Sequence, residues 1–591
     1  MRALALLMTL AAVGCSGSDA ARVAVDAADP VDSSPDAGAG RPDAAAGGGG
    51  SDSAAPKSDP PLDAGTPTSA PMDRDAETQP SPDSGSPPFV DTDAGAAKVP
   101  QLEALPSCIE SGFGFDQTAP ERDGPVSIAF SAWLQPQGVD ERAEIQVLND
   151  QGDVDDSYNG TLSWTLPEGV ELVSASQVVA GEAEATFRFT TLGDARVTAQ
   201  LSGDARTGFA DLIVYATQLP IWELEVDPDD LARIESNPES DEAIQGMLVV
   251  DGVPHATALR LHGASSRYFP KKSFRFELSE MGAVTGTYGK KLVLRAEYND
   301  KSLLRNWLAL RMFRANTRIP TSRSQLVHFR VNGRYYGVMH NVERVASRML
   351  DEWGLATNGS LYEADPEDAF LNPGGNLTPV TPPEDYPHVY QHQAGAIDYT
   401  DLRAFIEETL ALPDDMFANA IERELEVDDY IDYLAMMAAI QNIDHIRKNF
   451  YLYRDPLQAR GWRVLPWDLD LTFGHLWSEE NDVLEEEIAT DADVFVGVQV
   501  PERGGFYNQL IDRLLTLPSY RARFLTRLDA MLSTGLTRSA AEAMLANAVC
   551  RATPDILADR QKRASNAEYE SRVAEIGDFL DARFSYVQSL P

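Results

Sequence analysis

Between about residues 102 and 216 apolar and polar positions alternate in short runs. Residues 126–133, 144–148, 160–166, 170–173, 185–190, 195–201 and 209–215 all carry period-two character, and Gly, Asp and Pro turns separate them. Such alternation buries one face of each strand and leaves the other in water. Short strands at this spacing predict an all-β immunoglobulin-like sandwich over residues 101–216, a module that commonly serves as a spacer. The run Asn149-Asp-Gln-Gly-Asp-Val-Asp-Asp156 reads as a solvated hairpin tip rather than a Ca²⁺ loop, since turns select these residues anyway.

From Leu219 onward the pattern changes. Strands are predicted at 220–226, 243–250, 255–262, 273–278 and 291–295, with a short capped helix at 229–236. Leu304, Trp307, Leu308, Arg311 and Met312 recur at helical spacing and predict an amphipathic helix over 301–315. Strands 325–331 and 335–342 flank Asn332-Gly333, a strong hairpin signal. After about residue 400 the spacing is helical, over 402–412, 415–425 and 427–441, and again from 506 to the end. Two polar loops interrupt it, 442–449 and 462–474. A strand-rich half followed by a helix-rich half predicts a two-lobed α+β domain over 217–591, with the loops between the lobes.

Composition adds the N-terminal expectations. Residues 16–100 are Ala, Asp, Gly, Pro and Ser with almost no large apolar side chains. They bury too little to offset chain entropy, which predicts a disordered acidic linker. Met1-Arg2 and the apolar run 3–12, too short to span a bilayer, form a targeting segment. It ends Ala12-Val13-Gly14-Cys15, similar to a bacterial lipobox, so residues 1–15 read as a lipoprotein signal peptide that anchors the chain to a membrane through a lipidated Cys15. A plain secretory signal is the alternative. Both take the chain out of the cytoplasm, to a cell envelope or surface. The formal net charge of −43 excludes nucleic acid as a partner, because no basic face is there to neutralise phosphates. The three cysteines, Cys15, Cys108 and Cys550, lack the spacing of a thiolate zinc site. With Cys15 lipidated, Cys108 and Cys550 are a pair that an oxidising compartment permits to bond.

The two loops hold the candidate chemistry. Asp444 stands five residues before Asn449, and Asp468 and Asp470 follow the apolar stretch Val464-Leu-Pro-Trp467. Each alone reads as turn chemistry. Together, in apolar surroundings, carboxylates must be paired or hold a metal. Oxygen donors of this kind suit Mg²⁺, and Asp-x-x-x-x-Asn is the spacing of a kinase catalytic loop. A hydrolase using Asp468 and Asp470 fits less well, because residues two apart on an extended chain share a face, which suits metal more than a separated acid and base.

Five blocks in order carry a family resemblance. They are Leu259-Arg-Leu-His-Gly-Ala-Ser-Ser266 with Phe269-Pro-Lys-Lys272 and the strand after it, Asn299-Asp-Lys-Ser-Leu-Leu-Arg-Asn306, Val331-Asn-Gly-Arg-Tyr-Tyr-Gly-Val338 running to Glu343, Asn442 to Tyr453, and Pro466-Trp-Asp-Leu-Asp470. From Pro220 to Pro591 the chain resembles the spore-coat protein H (CotH) kinase family. The resemblance implies an atypical two-lobed kinase-like domain, with ATP as phosphate donor, Mg²⁺ or Mn²⁺ as metal, and Ser or Thr of an unidentified protein as acceptor. It implies Asp444 as catalytic base and Asn449, Asp468 and Asp470 as metal ligands. Lys272 or Lys271, Arg260, Gly263, Ser265, Ser266 and Glu343 would face the nucleotide. Strand alternation puts the two lysines on opposite faces, so the choice depends on which face lines the cleft. The lysines also read as surface residues flanking a strand, the Gly-Ser turn as an ordinary turn, and Arg305 and Glu343 as members of structural ion pairs. The family's second Arg before the turn glycine is His262 here, and a neutral imidazole supplies less charge to a phosphate. The alternative function is a catalytically inactive kinase-like surface lipoprotein that binds or scaffolds, a reading favoured by the scarcity of ATP outside the cytoplasm.

Overall fold

The strand Glu182–Phe189 buries Ala183, Ala185, Phe187 and Phe189 and turns the residues between them outward. That alternation recurs through the first module, in a computed structural model that describes Cys108 and residues 122–279, 286–366, 374–395, 397–456, 461–478, 483–498 and 507–590. The expected signal peptide with Cys15 and the expected acidic linker lie outside these described residues. Two sheets share one apolar core. One runs Val126–Phe130, Asp140–Val147, Glu182–Phe189, Val170–Ala175, and the other Arg122–Asp123, Thr207–Tyr215, Gly193–Leu201, Leu162–Thr165, with Leu134–Pro136 parallel to Thr207–Tyr215. Phe130, Ile145, Phe187, Val197 and Leu212 lie between them. At the 149–156 loop Asn149 Oδ1 accepts the backbone N–H groups of Gln151 and Asp153, and Asp155 pairs with Arg206. The loop satisfies itself as a hairpin tip does.

The next seven strands close a barrel in the order Ile221–Val226, Ile244–Val250, Val253–Leu261, Phe274–Leu278, Lys291–Arg295, Arg334–Val342, Ser324–Val331. The first and last of these pair in parallel and all other neighbours are antiparallel. Trp222, Leu248, Leu259, Phe274, Phe276, Leu294 and Phe329 fill the interior. The Asn332-Gly333 hairpin has φ of 50° and 78°, the left-handed pair that a tight two-residue turn requires. The helix Arg305–Asn316 leaves the barrel and joins a larger core built by the helical half.

That half follows its spacing at Asp414–Glu424, Val427–Ile440 and the four helices from Gln509 to Gln588. Two features depart from expectation. The helix expected over 402–412 is a short helix, Thr400–Arg403, running into a π-helical turn, Ala404–Thr409. Ser360–Ala364 and Tyr390–Ala394, for which no strand is predicted, form a sheet with Phe450–Arg454 and Arg463–Pro466. Leu361, Tyr362 and Ala364 are buried and Ser360 and Glu363 half-buried, so both faces of that strand are covered and period two is lost.

The first module is no loose spacer. Ala132, Trp133, Leu134 and Tyr215 belong to the same apolar cluster as the helical half. Arg330 of the barrel donates to the Glu141 carboxylate at 2.7 Å, both side chains 1% exposed. Asp555, on the helix Arg538–Ala558, accepts from Tyr215 Oη at 2.5 Å and from Thr217 Oγ1 at 3.0 Å, and faces His328 Nδ1 at 2.6 Å. A disulfide joins Cys108 to Cys550 on that helix.

Candidate functional site

The helix Val427–Ile440 stops at Gln441, whose φ of 54° turns the chain out of the helix. Asn442 Oδ1 caps the next turn by accepting from His445 N, and Asn508 Nδ2 holds Ile446 O at 2.9 Å. Asp444 opens the short turn Asp444–Ile446. Asn449 then leads into the strand Phe450–Arg454, its own N–H bonded to Ala364 O. The partner strand Arg463–Pro466 delivers the second loop. Asn449 and Asp468 both sit in the left-handed region, φ 62° and 53°. Asn and Asp tolerate this conformation better than other non-glycine residues, and such strain concentrates at functional sites.

The side chains converge. Asn449 Nδ2 donates to Asp444 Oδ2 at 2.6 Å, and Lys448 Nζ lies 3.4 Å from the same oxygen. Arg295, at the end of the barrel strand Lys291–Arg295, reaches Asp468 Oδ1 at 2.6 Å and Asp470 Oδ2 at 3.6 Å. Its Nε faces Glu297 Oε1 at 3.1 Å. Glu297 also accepts from Asn306 Nδ2 at 2.9 Å and meets His340 Nδ1 at 3.0 Å, while Asn306 Oδ1 accepts Leu469 N–H. Fully buried Arg305 donates to the carbonyls of Thr472 and Phe473, so the helix that begins there fixes the second loop; expected as amphipathic over 301–315, it is instead buried on all sides from Arg305 to Phe313.

Four carboxylates thus meet two cations. Burial, then the neighbouring Asp468 carboxylate, pushes Asp470 well above the usual carboxylate range. Burial also raises Asp444, against the pull of Lys448. Burial works against charge on Arg295, but Asp468, Glu297 and Asp470 override it and keep the guanidinium protonated. An all-oxygen donor set with excess negative charge fits a hard divalent cation. Asn449, Asp468 and Asp470 are the residues whose oxygens would hold one.

The remaining expected residues lie elsewhere. Lys271 and Asp559 are both wholly buried, with Lys271 Nζ 2.7 Å from Asp559 Oδ2 and 2.7 Å from Val338 O. Lys272 Nζ donates to Arg267 O, across the turn that contains Ser265–Tyr268. Neither lysine is bonded to the acidic centre; both brace the barrel. Gly263 has φ of +101°, a backbone conformation that side chains rarely adopt, so the turn before Ser265 and Ser266 selects glycine. Arg260 pairs with exposed Asp241, and Glu343 with Arg323. His262 is held down to about 3 by burial and by Arg295, Arg275 and Arg344, so it is neutral.

Arg295, Glu297, His340 and Asn306 are the members that sequence reasoning missed. A signal was present: in Lys291-Leu-Val-Leu-Arg295 alternation puts Arg295 on the face opposite Leu292 and Leu294. What pairs with it is fixed by long-range register, Arg295 opposite His340.

Comparison with known proteins bears on this geometry. Over 373 residues the chain is 25% identical to the inner spore coat protein H of Bacillus subtilis (strain 168), covering 63% of this chain and 97% of that protein. Two solved structures show local likeness only. Domains 4–9 of the surface layer protein SbsC align with TM-score 0.15 and 9% identity over 37% of this chain and 27% of that one. The Escherichia coli adhesin FdeC aligns with TM-score 0.13 and 12% identity over 42% and 80%. Scores this low carry no argument about the fold. Residues 259–587, which include both acidic loops and every member of the site, match the model of the CotH kinase protein family. The chain belongs to that family.

Proposed function

We propose that this chain is a metal-dependent atypical protein kinase that transfers the γ-phosphate of ATP to a Ser or Thr hydroxyl of an envelope or surface protein. The observation that carries the reading is that Asn449 holds Asp444 and Arg295 holds Asp468 and Asp470, while Lys448 feels all three aspartates. In this reading the barrel and the helical half are the two lobes of a kinase-like domain over 217–591. Residues 101–216 are an immunoglobulin-like sandwich, 16–100 a linker and 1–15 a lipoprotein signal. The relative's coat location and the targeting segment both support display at a cell surface, tethered through Cys15.

Asp444 orients the acceptor hydroxyl and takes its proton. Its raised pKa makes it a stronger base than an ordinary aspartate, and the Asn449 amide fixes the carboxylate's orientation. Mg²⁺ or Mn²⁺ on Asn449, Asp468 and Asp470 would supply charge neutralisation to the phosphates. Arg295 sets the position of Asp468 and Asp470, and Arg305 that of the loop behind them. Positioning and electrostatics account for phosphoryl transfer without a covalent protein intermediate.

A second reading is a kinase-like surface protein that binds without transferring phosphate. The burial of Lys271 against Asp559 and the bond from Lys272 to Arg267 O favour it, since both lysines that the resemblance offers to the nucleotide are engaged elsewhere. One experiment separates the two: incubation of the protein with γ-labelled ATP and Mg²⁺ or Mn²⁺, beside Asp444→Asn and Asp468→Ala. Label transferred by the parent and by neither variant is the result expected. Nucleotide binding with no transfer to itself or to added serine-rich protein would select the second reading.

A further inference from the structure

The outer face of the barrel carries a row of cations that ends at the acidic centre with Arg295. Arg260 and Arg275 are directly opposed on neighbouring antiparallel strands, and Arg275 is opposite Val293, two residues before Arg295 on the next strand. Phe274 and Phe276 on either side of Arg275 are buried in the barrel core, so alternation sends Arg275 outward. Arg344 follows the strand Arg334–Val342, whose Val342 is opposite Val293. Across from them lie Tyr451 and Glu363 of the sheet that carries the first acidic loop. Arg344 acts electrostatically on Glu363, Tyr451 and His262, and Tyr451 acts on Arg275.

These arginines differ in how they are satisfied. Arg295 is bonded to carboxylates and Arg260 pairs with Asp241. Arg275 and Arg344 are half-buried and make no ion pair or side-chain hydrogen bond to any described residue. Two carboxylates are near enough to act on them. Glu277 is exposed and faces Lys290 and Lys291. Glu363 is pushed up to about 7 by burial and is hydrogen-bonded by Tyr451. Burial and the repulsion of Arg344 and Arg260 lower Arg275. Two guanidiniums placed beside one another with no carboxylate bonded to either are a poor structural device, because each costs desolvation and they repel. Their planar forks match the oxygens of a phosphate.

We propose that Arg275 and Arg344 form a phosphate-oxyanion site on the barrel side of the cleft. Its ligand is the phosphate chain of the donor nucleotide, an assignment that rests on the kinase reading above. They take the place that Lys271 and Lys272, engaged within the barrel, do not fill.

Binding to the full-length protein is measured by calorimetry and by melting temperature, with ATP–Mg²⁺, inorganic tripolyphosphate and adenosine as ligands. Arg275→Gln, Arg344→Gln and the Arg→Lys counterparts are compared with the parent. The expected result is that each Gln variant binds ATP and tripolyphosphate about ten- to a hundredfold more weakly, with adenosine unchanged and partial recovery in the Lys variants. Without ligand the Arg275→Gln protein melts no lower than the parent, which a merely structural arginine would not allow, and tripolyphosphate raises the melting temperature of the parent alone. ATP bound equally by parent and Gln variants would overturn the site and leave the kinase reading intact. Tripolyphosphate held by the arginines while ATP is not bound would keep the site and sink the kinase reading. No binding of either ligand would overturn both.

Discussion

Asn449 joins two demands in one residue. Its backbone lies in the left-handed region and its amide holds Asp444. Replacing it with Ala removes the amide and adds a left-handed backbone cost of about 1 kcal/mol, whereas Gly removes the amide at no such cost. Asn449→Gly is therefore expected to melt above Asn449→Ala, while both lose metal-dependent stabilisation to the same extent. Thermal scans with and without Mg²⁺ check it, and equal melting of the two would mean that backbone strain is not what selects Asn here. Asp444, Asn449, Asp468 and Asp470 were legible in sequence because each loop is short and its polar residues stand out against apolar strands. Arg295, Arg275 and Arg344 were not. Each occurs in an ordinary strand or strand end, and its meaning comes from what a sheet register brings opposite.

At the level of elements, the buried ion pair between Lys271 and Asp559 ties the approach to the strand Phe274–Leu278 to the end of the helix Arg538–Ala558. Asp559 also accepts the N–H groups of Val338, Gln561 and Lys562. Lys271→Met leaves that carboxylate buried without its cation, at an expected cost of about 3–5 kcal/mol. Urea unfolding should register this loss at every nucleotide concentration. A variant with parental stability and weakened ATP binding would instead return Lys271 to the nucleotide site. The strand and helix pattern of the barrel and of the later helices was readable from periodicity. The strands Ser360–Ala364 and Tyr390–Ala394 were missed, and burial of three side chains in the first of them shows why: a strand covered on both faces has no polar beat to read.

Across the whole molecule, the N-terminal module and the barrel are joined through Arg330 and Glu141. Burial pushes Glu141 up to about 7 despite Arg330, above the value near 4.5 of an exposed glutamate. Its contribution to stability is thus full below about pH 4.5 and lost as pH rises through about 7. Relative to the parent, Glu141→Gln should gain in melting temperature between pH 5 and pH 8; an unchanged difference over that range would mean that the carboxyl does not titrate there. A protein begun at residue 217 loses Tyr215 from Asp555 and exposes the surface that covers Trp133 and Leu134. It also loses the Cys108–Cys550 bond, which alone is worth about 2–5 kcal/mol. Such a fragment is expected to melt below the longer protein and to self-associate, as scanning calorimetry and light scattering would show. A fragment as stable and monomeric as the parent would restore the first module to a spacer. The disulfide also has a mechanical side. A pull on the chain ahead of Cys108 crosses directly to Cys550, in the helix that carries Asp555 and Asp559. The strands of the first module lie outside that load path, so a force applied there is borne by the helix braced against the barrel and leaves the sheets slack.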